Sequence, residues 1–210
     1  MASCDCPAAT ELTDVPANTC SIDWARVRKF AISRNQIWTS DTVGDATFTQ
    51  LADVTEWDDV LGASDDTKWV ISGLFGEYTK APGAAQTAEF DGDTKNTGNY
   101  DPTSVTFQMQ GATSDQLAAM DTLACEEDLF IILFDNKQKI ISGAAQPSGT
   151  IPFGLPLAPK SFFITDMYQD EAGNFVKADG GFQLKDGWSK DFDVTVTAAT
   201  FEPLTDLVNT

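Results

Sequence analysis

Asp128-Leu-Phe-Ile-Ile-Leu-Phe-Asp135, followed by Asn136-Lys-Gln138 and Lys139-Ile-Ile-Ser142, is the stretch whose reading decides the fold. Successive side chains of a strand point to opposite faces. Leu129 to Phe134 is apolar at every position, so it reads as a strand covered on both sides. Asp135 to Gln138 has turn composition, and Lys139-Ile-Ile-Ser142 reads as the partner strand.

Working outward, Ser104 to Gln110 alternates without a break. Val105, Phe107 and Met109 share one face, and Thr106, Gln108 and Gln110 the other. Between these segments, Leu117, Met120, Leu123 and Ala124 make an apolar stripe at helical spacing over Asp115–Cys125, with Ser114 or Asp115 as the expected cap. Beyond Ser142, residues 144 to 160 are a Gly/Pro-rich excursion. Phe162 to Met167 reads as a strand, Asp170 to Asn174 as a turn, and Phe175 to Lys177 as its return. Phe192, Val194 and Val196 then alternate with Asp193, Thr195 and Thr197.

Toward the other end, Lys68 to Ser72 reads as a strand, and Thr55 to Leu61 as a short helix capped by Thr55, with Trp57, Val60 and Leu61 on one face. Arg26 to Arg34 reads as the first strand. Residues 73 to 102 carry five glycines, two prolines and few apolar side chains, and are expected to be an extended loop or a long surface hairpin. Residues 1 to 22, with Cys4, Cys6, Cys20, Pro7 and Pro16, are expected to form an arm. The expected architecture is mainly β: a sandwich or partly closed barrel with one flanking amphipathic helix and long loops, a single domain over 23 to 210.

Composition bears on function by exclusion. Among 210 residues, 32 acids face 13 bases, a formal net charge of -19, which repels nucleic acid at long range. Histidine is absent, which removes the commonest general base and metal ligand and any Ser-His or Cys-His couple. Ser189 and Lys190 are adjacent and would point to opposite faces of a strand. No catalytic constellation is recognisable, and the chain is not expected to be an enzyme. Cys4, Cys6 and Cys20 with Cys125 could make a four-thiolate zinc set, but Cys-x2-Cys spacing is missing; reduced thiols and no metal are expected. Asp91 to Asn96 lacks the spacing and closing Glu of a calcium loop, and Gly73-Leu-Phe-Gly76 and Gly180-Gly181 do not open phosphate-binding helices, so no cofactor is expected. No apolar run reaches the length of a membrane helix, and Met1-Ala-Ser-Cys-Asp-Cys6 lacks the features of a secretory signal, so synthesis in the cytoplasm is expected. Arg26, Arg28, Lys29 and Arg34 fall within nine positions. They read either as a contact site for an acidic neighbouring subunit or as charges on a solvated strand.

The order of these segments (an N-terminal arm, the Gly/Pro-rich loop, the alternating strand Ser104 to Gln110, the helix Asp115 to Cys125, then Asp128 to Asp135 with its turn and Lys139-Ile-Ile) resembles phage tail tube proteins. Asp65-Asp-Thr-Lys68, Pro82-Gly-Ala-Ala85 and the cysteine-rich arm are similar to structural proteins from phages and prophages of Bacteroidetes. The resemblance implies a β-sandwich with a flanking helix, six copies closing a ring whose inner strands form one barrel, and rings stacking into a virion tail assembled in the host cytoplasm. Its partners would be itself and other tail or head proteins, with DNA passing unbound. Thr106, Gln108, Gln110, Asp193, Thr195 and Thr197 would then face the bore. A capsid decoration or head-completion protein fits the same acidity and β content. So does a monomeric carbohydrate-binding sandwich that uses exposed tryptophans.

Overall fold

A computed structural model describes residues 24–34, 50–52, 54–64, 68–81, 83–90, 93–143, 154–171, 175–190, 192–197 and 199–208. The expected arm (1 to 22) and most of the second excursion (144 to 153) lie outside the described residues. In chain order the elements are β1 (Val27–Ser33), α1 (Val54–Gly62), β2 (Val70–Ile71), β3 (Phe75–Ala81), β4 (Ala85–Phe90), β5 (Asp93–Tyr100), β6 (Thr103–Gln110) and α2 (Ser114–Leu123). There follow β7 (Phe130–Asp135), β8 (Lys139–Gly143), β9 (Leu155–Pro156), β10 (Phe163–Ile164), β11 (Lys177–Leu184), β12 (Phe192–Val196) and α3 (Pro203–Asp206).

The larger sheet runs β12-β8-β7-β1-β2, with β9 also paired to β7; the smaller runs β10-β11-β6-β3, and all pairs are antiparallel. Alternation sorts the side chains of the larger sheet. Phe30, Ile32, Ile131, Leu133 and Ile141 point at the smaller sheet, where Val105, Phe107, Met109, Phe75 and Phe182 meet them. Phe30 is the hub, with ring centroids of Phe75 and Phe107 at 5.1 and 5.4 Å. Ala31, Ile132, Phe134 and Ile140 point the other way, into a second core with Trp57, Val60 and Leu61 of α1 and with Trp69, Phe201 and Leu207. The larger sheet is therefore the middle layer of three. That is why Leu129 to Phe134 is apolar at every position. The two sheets are separate and do not close into a barrel.

The sheets cross. β2 continues through Ser72 to Leu74 into β3, at the Met109 end of the smaller sheet. β12 lies at the opposite end, where the Phe192 ring is tilted against Trp188 with centroids 5.8 Å apart and the Trp188 indole N–H donates to Thr103 Oγ1 at 3.0 Å. The strand order of one sheet thus follows the strand axis of the other, with corners turned by segments that change sheets.

Several expectations change. The stretch expected as an extended loop or a long surface hairpin, 73 to 102, holds three strands. β3 belongs to the smaller sheet, and β4 and β5 form a hairpin of their own. A register shift between Phe75 and Glu77 puts the two core residues Phe75 and Tyr78 three apart, which hides the period of two. β11 runs seven residues past the expected return. Its Gly180-Gly181 pair reads as a breaker, yet a Cβ on Gly180 would sit 2.5 Å from the Phe107 ring, and one on Gly181 2.7 Å from the Phe163 ring. Aromatic rings lie on the bare backbone there, so glycine is what the packing demands. β10 is correspondingly shorter than expected. α2 is capped by Thr113 rather than Ser114 or Asp115. Thr113 Oγ1 accepts from Gln116 N, and Gln116 Oε1 accepts from Thr113 N, a complete capping box. α1 begins at Val54, so Thr55 lies inside it.

Candidate functional site

The outward face of the smaller sheet is built by register. β6 places Thr106, Gln108 and Gln110 outward, with Thr106 and Gln110 exposed and Gln108 half-buried. Directly paired residues of antiparallel strands share a face. Thr79 of β3 therefore stands beside Thr106, while Gly181, Asp179 and Lys177 of β11 stand beside Thr106, Gln108 and Gln110. The sheet-edge residues complete a polar network. Gln108 Nε2 donates to the Tyr168 hydroxyl and to Asp179 Oδ1, both at 3.1 Å. The Tyr168 hydroxyl donates to Asp179 Oδ2 at 2.9 Å, and Asp179 N donates to Thr165 Oγ1 at 3.0 Å. The hydrogen bond to Asp179 raises the Tyr168 pKa, because ionising the phenol would put two anions in contact.

Cations are handled locally. Lys177 is held 2.6 Å from Asp170. Lys80 pairs with Val105 and so faces the core side, with Nζ 4.8 Å from the Trp188 ring centroid; desolvation lowers its pKa. The face therefore presents hydroxyls, amides and a carboxylate, with the exposed ring of Phe163 over Gly181 and Lys177 beside Gln110. Thr106, Gln108 and Gln110 follow from the alternation of β6, but their partners on this face do not. Asp179, Tyr168 and Lys177 sit 60 to 71 positions away, brought in by a register that no local pattern specifies.

The other expected bore-facing set does not join this surface. β12 pairs with β8 of the larger sheet, Asp193 opposite Ser142 and Thr195 opposite Ile140. Ile140 belongs to the core beneath α1, so Asp193 and Thr195 share the helix-bearing face and are half-buried there. Thr197 is only 6% exposed; its hydroxyl donates to Phe201 O at 2.9 Å, so it is not a wet position. Strand alternation sorts the faces of β6, but β12 has no buried and wet side, with Val196 60% exposed and Thr197 buried, and alternation could not show that the two strands belong to different sheets.

The basic cluster is also divided. Lys29 is 5% exposed, and its ammonium donates to the carbonyls of Leu204 and Leu207, tying down the C-terminal segment. Burial lowers its pKa against a smaller opposing pull from Asp206. It is an internal residue, not a subunit contact. Arg34 pairs with Glu126 at one end of β1. Arg26 and Arg28 stand at the other end, Arg28 bonding to Ala25 O and Val27 O. β1 separates the two ends by roughly 20 Å. The strand between them is buried on both faces rather than solvated.

A trench of about 610 Å³ lies along β2 between α2 and Leu204 to Val208, lined by Val70, Leu74, Met120 and Leu123, with Lys29 in its wall. Among the described residues, no three His, Cys, Asp or Glu side chains are placed to hold a metal ion, and Cys125 is exposed and free. Cys4, Cys6 and Cys20 lie outside the described residues. No helix among the described residues is long and apolar enough to cross a membrane. Trp57, Trp69 and Trp188 are buried, which removes three of the five tryptophans from any exposed sugar platform. No family model matches the chain, and no curated protein does.

Proposed function

We propose that the protein is a non-enzymatic structural subunit of a phage tail tube. Copies close into rings, rings stack in the virion, and the outward face of β3, β6, β11 and β10 lines a bore that DNA crosses unbound. The observation that carries this reading is the chemistry of that face: Thr79, Thr106, Gln108, Gln110 and Asp179, with Lys177 neutralised by Asp170. A conduit for DNA must avoid phosphate contacts, since each neutralised phosphate adds affinity that falls with salt. The net charge of -19 acts in the same direction at long range.

A second feature supports assembly. β4 and β5 pair only with each other among the described strands. A two-stranded hairpin is marginal in water by itself and gains from a partner surface. The test places lysine at Thr106 and Gln110 together. Assembly is expected to persist while the tube acquires DNA binding that weakens steeply with salt. Assembled tubes that remain inert to DNA, or lysines that label from the outside of intact tubes, would remove the bore assignment.

A further inference from the structure

The trench along β2 combines a mostly apolar lining with one shielded cation. Val70, Met109, Met120, Leu123 and Leu207 line it, and it reaches solvent at Leu74 and Val208, which are 54% and 61% exposed. Methionine side chains adapt to the shape of what they meet. At about 610 Å³ the trench falls in the range of small-molecule sites, about 300–1,000 Å³.

Two lining residues are charged, Lys29 and Asp115, and they are not equivalent. Asp115 is exposed, so water and salt screen its carboxylate. Lys29 is 5% exposed and joins no ion pair among the described residues. The carbonyls of Leu204 and Leu207 accept two of its three N–H donors. Asp206 attracts the ammonium without an ion-pair contact. One N–H and most of the charge are thus left at the wall of an apolar trench, where an unpaired charge is costly. On the α2 side, Gln116 Oε1 accepts from Thr113 N, and Gln116 Nε2 makes no hydrogen bond among the described residues.

We infer that the trench binds a single-chain amphiphile of the fatty acid class, its tail on the apolar lining and its carboxylate on the Lys29 ammonium. One free N–H beside one unpaired charge suits a monoanion, through a charge-assisted hydrogen bond. A cationic head would meet Lys29 as a like charge. None of the residues assigned to the bore lines the trench, so the site is independent of the tail tube reading.

The test is isothermal titration calorimetry of the full chain with dodecanoate, and with dodecyltrimethylammonium as the same tail bearing the opposite charge, both below their micelle concentrations. Dodecanoate is expected to bind at one site per chain, at least about tenfold more tightly than the cation. The net charge of -19 favours the cation everywhere else, so a preference for the anion requires a local positive site. Lys29→Met is expected to abolish the preference. That variant is also expected to loosen the C-terminal segment, so two exposed positions on α2 supply separate readouts. Ala119→Trp, which fills the trench, is expected to weaken dodecanoate binding at least about tenfold. Asp115→Asn, which removes the opposing charge, is expected to tighten it about two- to threefold. Absence of dodecanoate binding, equal binding of the two heads, or binding indifferent to Ala119→Trp would overturn the site.

Discussion

Lys29 shows how much a single buried cation can organise. Its ammonium satisfies the carbonyls of Leu204 and Leu207, the end of α3. Lys29→Met keeps the stem but orphans both acceptors, and is expected to cost about 1–3 kcal/mol and to raise hydrogen exchange in 201 to 208. The pH dependence has a definite sign. Burial depresses the folded-state pKa, so between it and the unfolded value the unfolded chain binds the extra proton, and stability from this group rises with pH. Urea titrations at neutral and alkaline pH should show that rise in the wild type relative to Lys29→Met; an identical pH profile in the two would contradict it. Tyr78 is the converse case. Its hydroxyl is buried with no partner among the described residues, and burial pushes its pKa up. Tyr78→Phe is therefore expected to be neutral or to stabilise by up to about 1 kcal/mol, measured by denaturant midpoint. Gly180→Ala should cost about 1–3 kcal/mol, because the Phe107 ring occupies the space of the added methyl.

At the scale of elements, β7 is the strand on which both cores converge. Ile132→Ala is expected to lose about 2–5 kcal/mol, against less than about 0.5 for Thr106→Ala on the wet side of β6. Thr113→Ala should cost about 1 kcal/mol by opening the capping box of α2. These elements differ in how legible they were. β7, β8 and β6 could be read because burial on two faces or on one leaves an unbroken pattern. β3 could not, because its irregular register moves the second core residue out of phase. β11 was cut short because glycine reads as a breaker unless the rings that cover it are known. The polar face of β6 was visible. Its partners Asp179 and Tyr168 were not, since pairing partners far apart in the chain leave no local signal. Arg26, Arg28, Lys29 and Arg34 are close in sequence, but the extended strand sets the two ends of the cluster roughly 20 Å apart. Lys29 in particular carries no mark that its ammonium is needed inside.

For the molecule as a whole, three layers of packing leave one broad, mostly polar face uncovered and, among the described strands, one hairpin outside both sheets. A monomer has no evident use for these together. In the assembly we propose, the face would line the channel and the hairpin would reach a neighbour. The net charge of -19 repels DNA at long range, as the proposed conduit requires. The most direct measurement is negative-stain electron microscopy of the purified full-length protein, concentrated and supplied with tail initiation components. The account predicts rings or stacked tubes with an open bore. A protein that stays monomeric under these conditions, or that decorates capsid shells and never forms tubes, would contradict it.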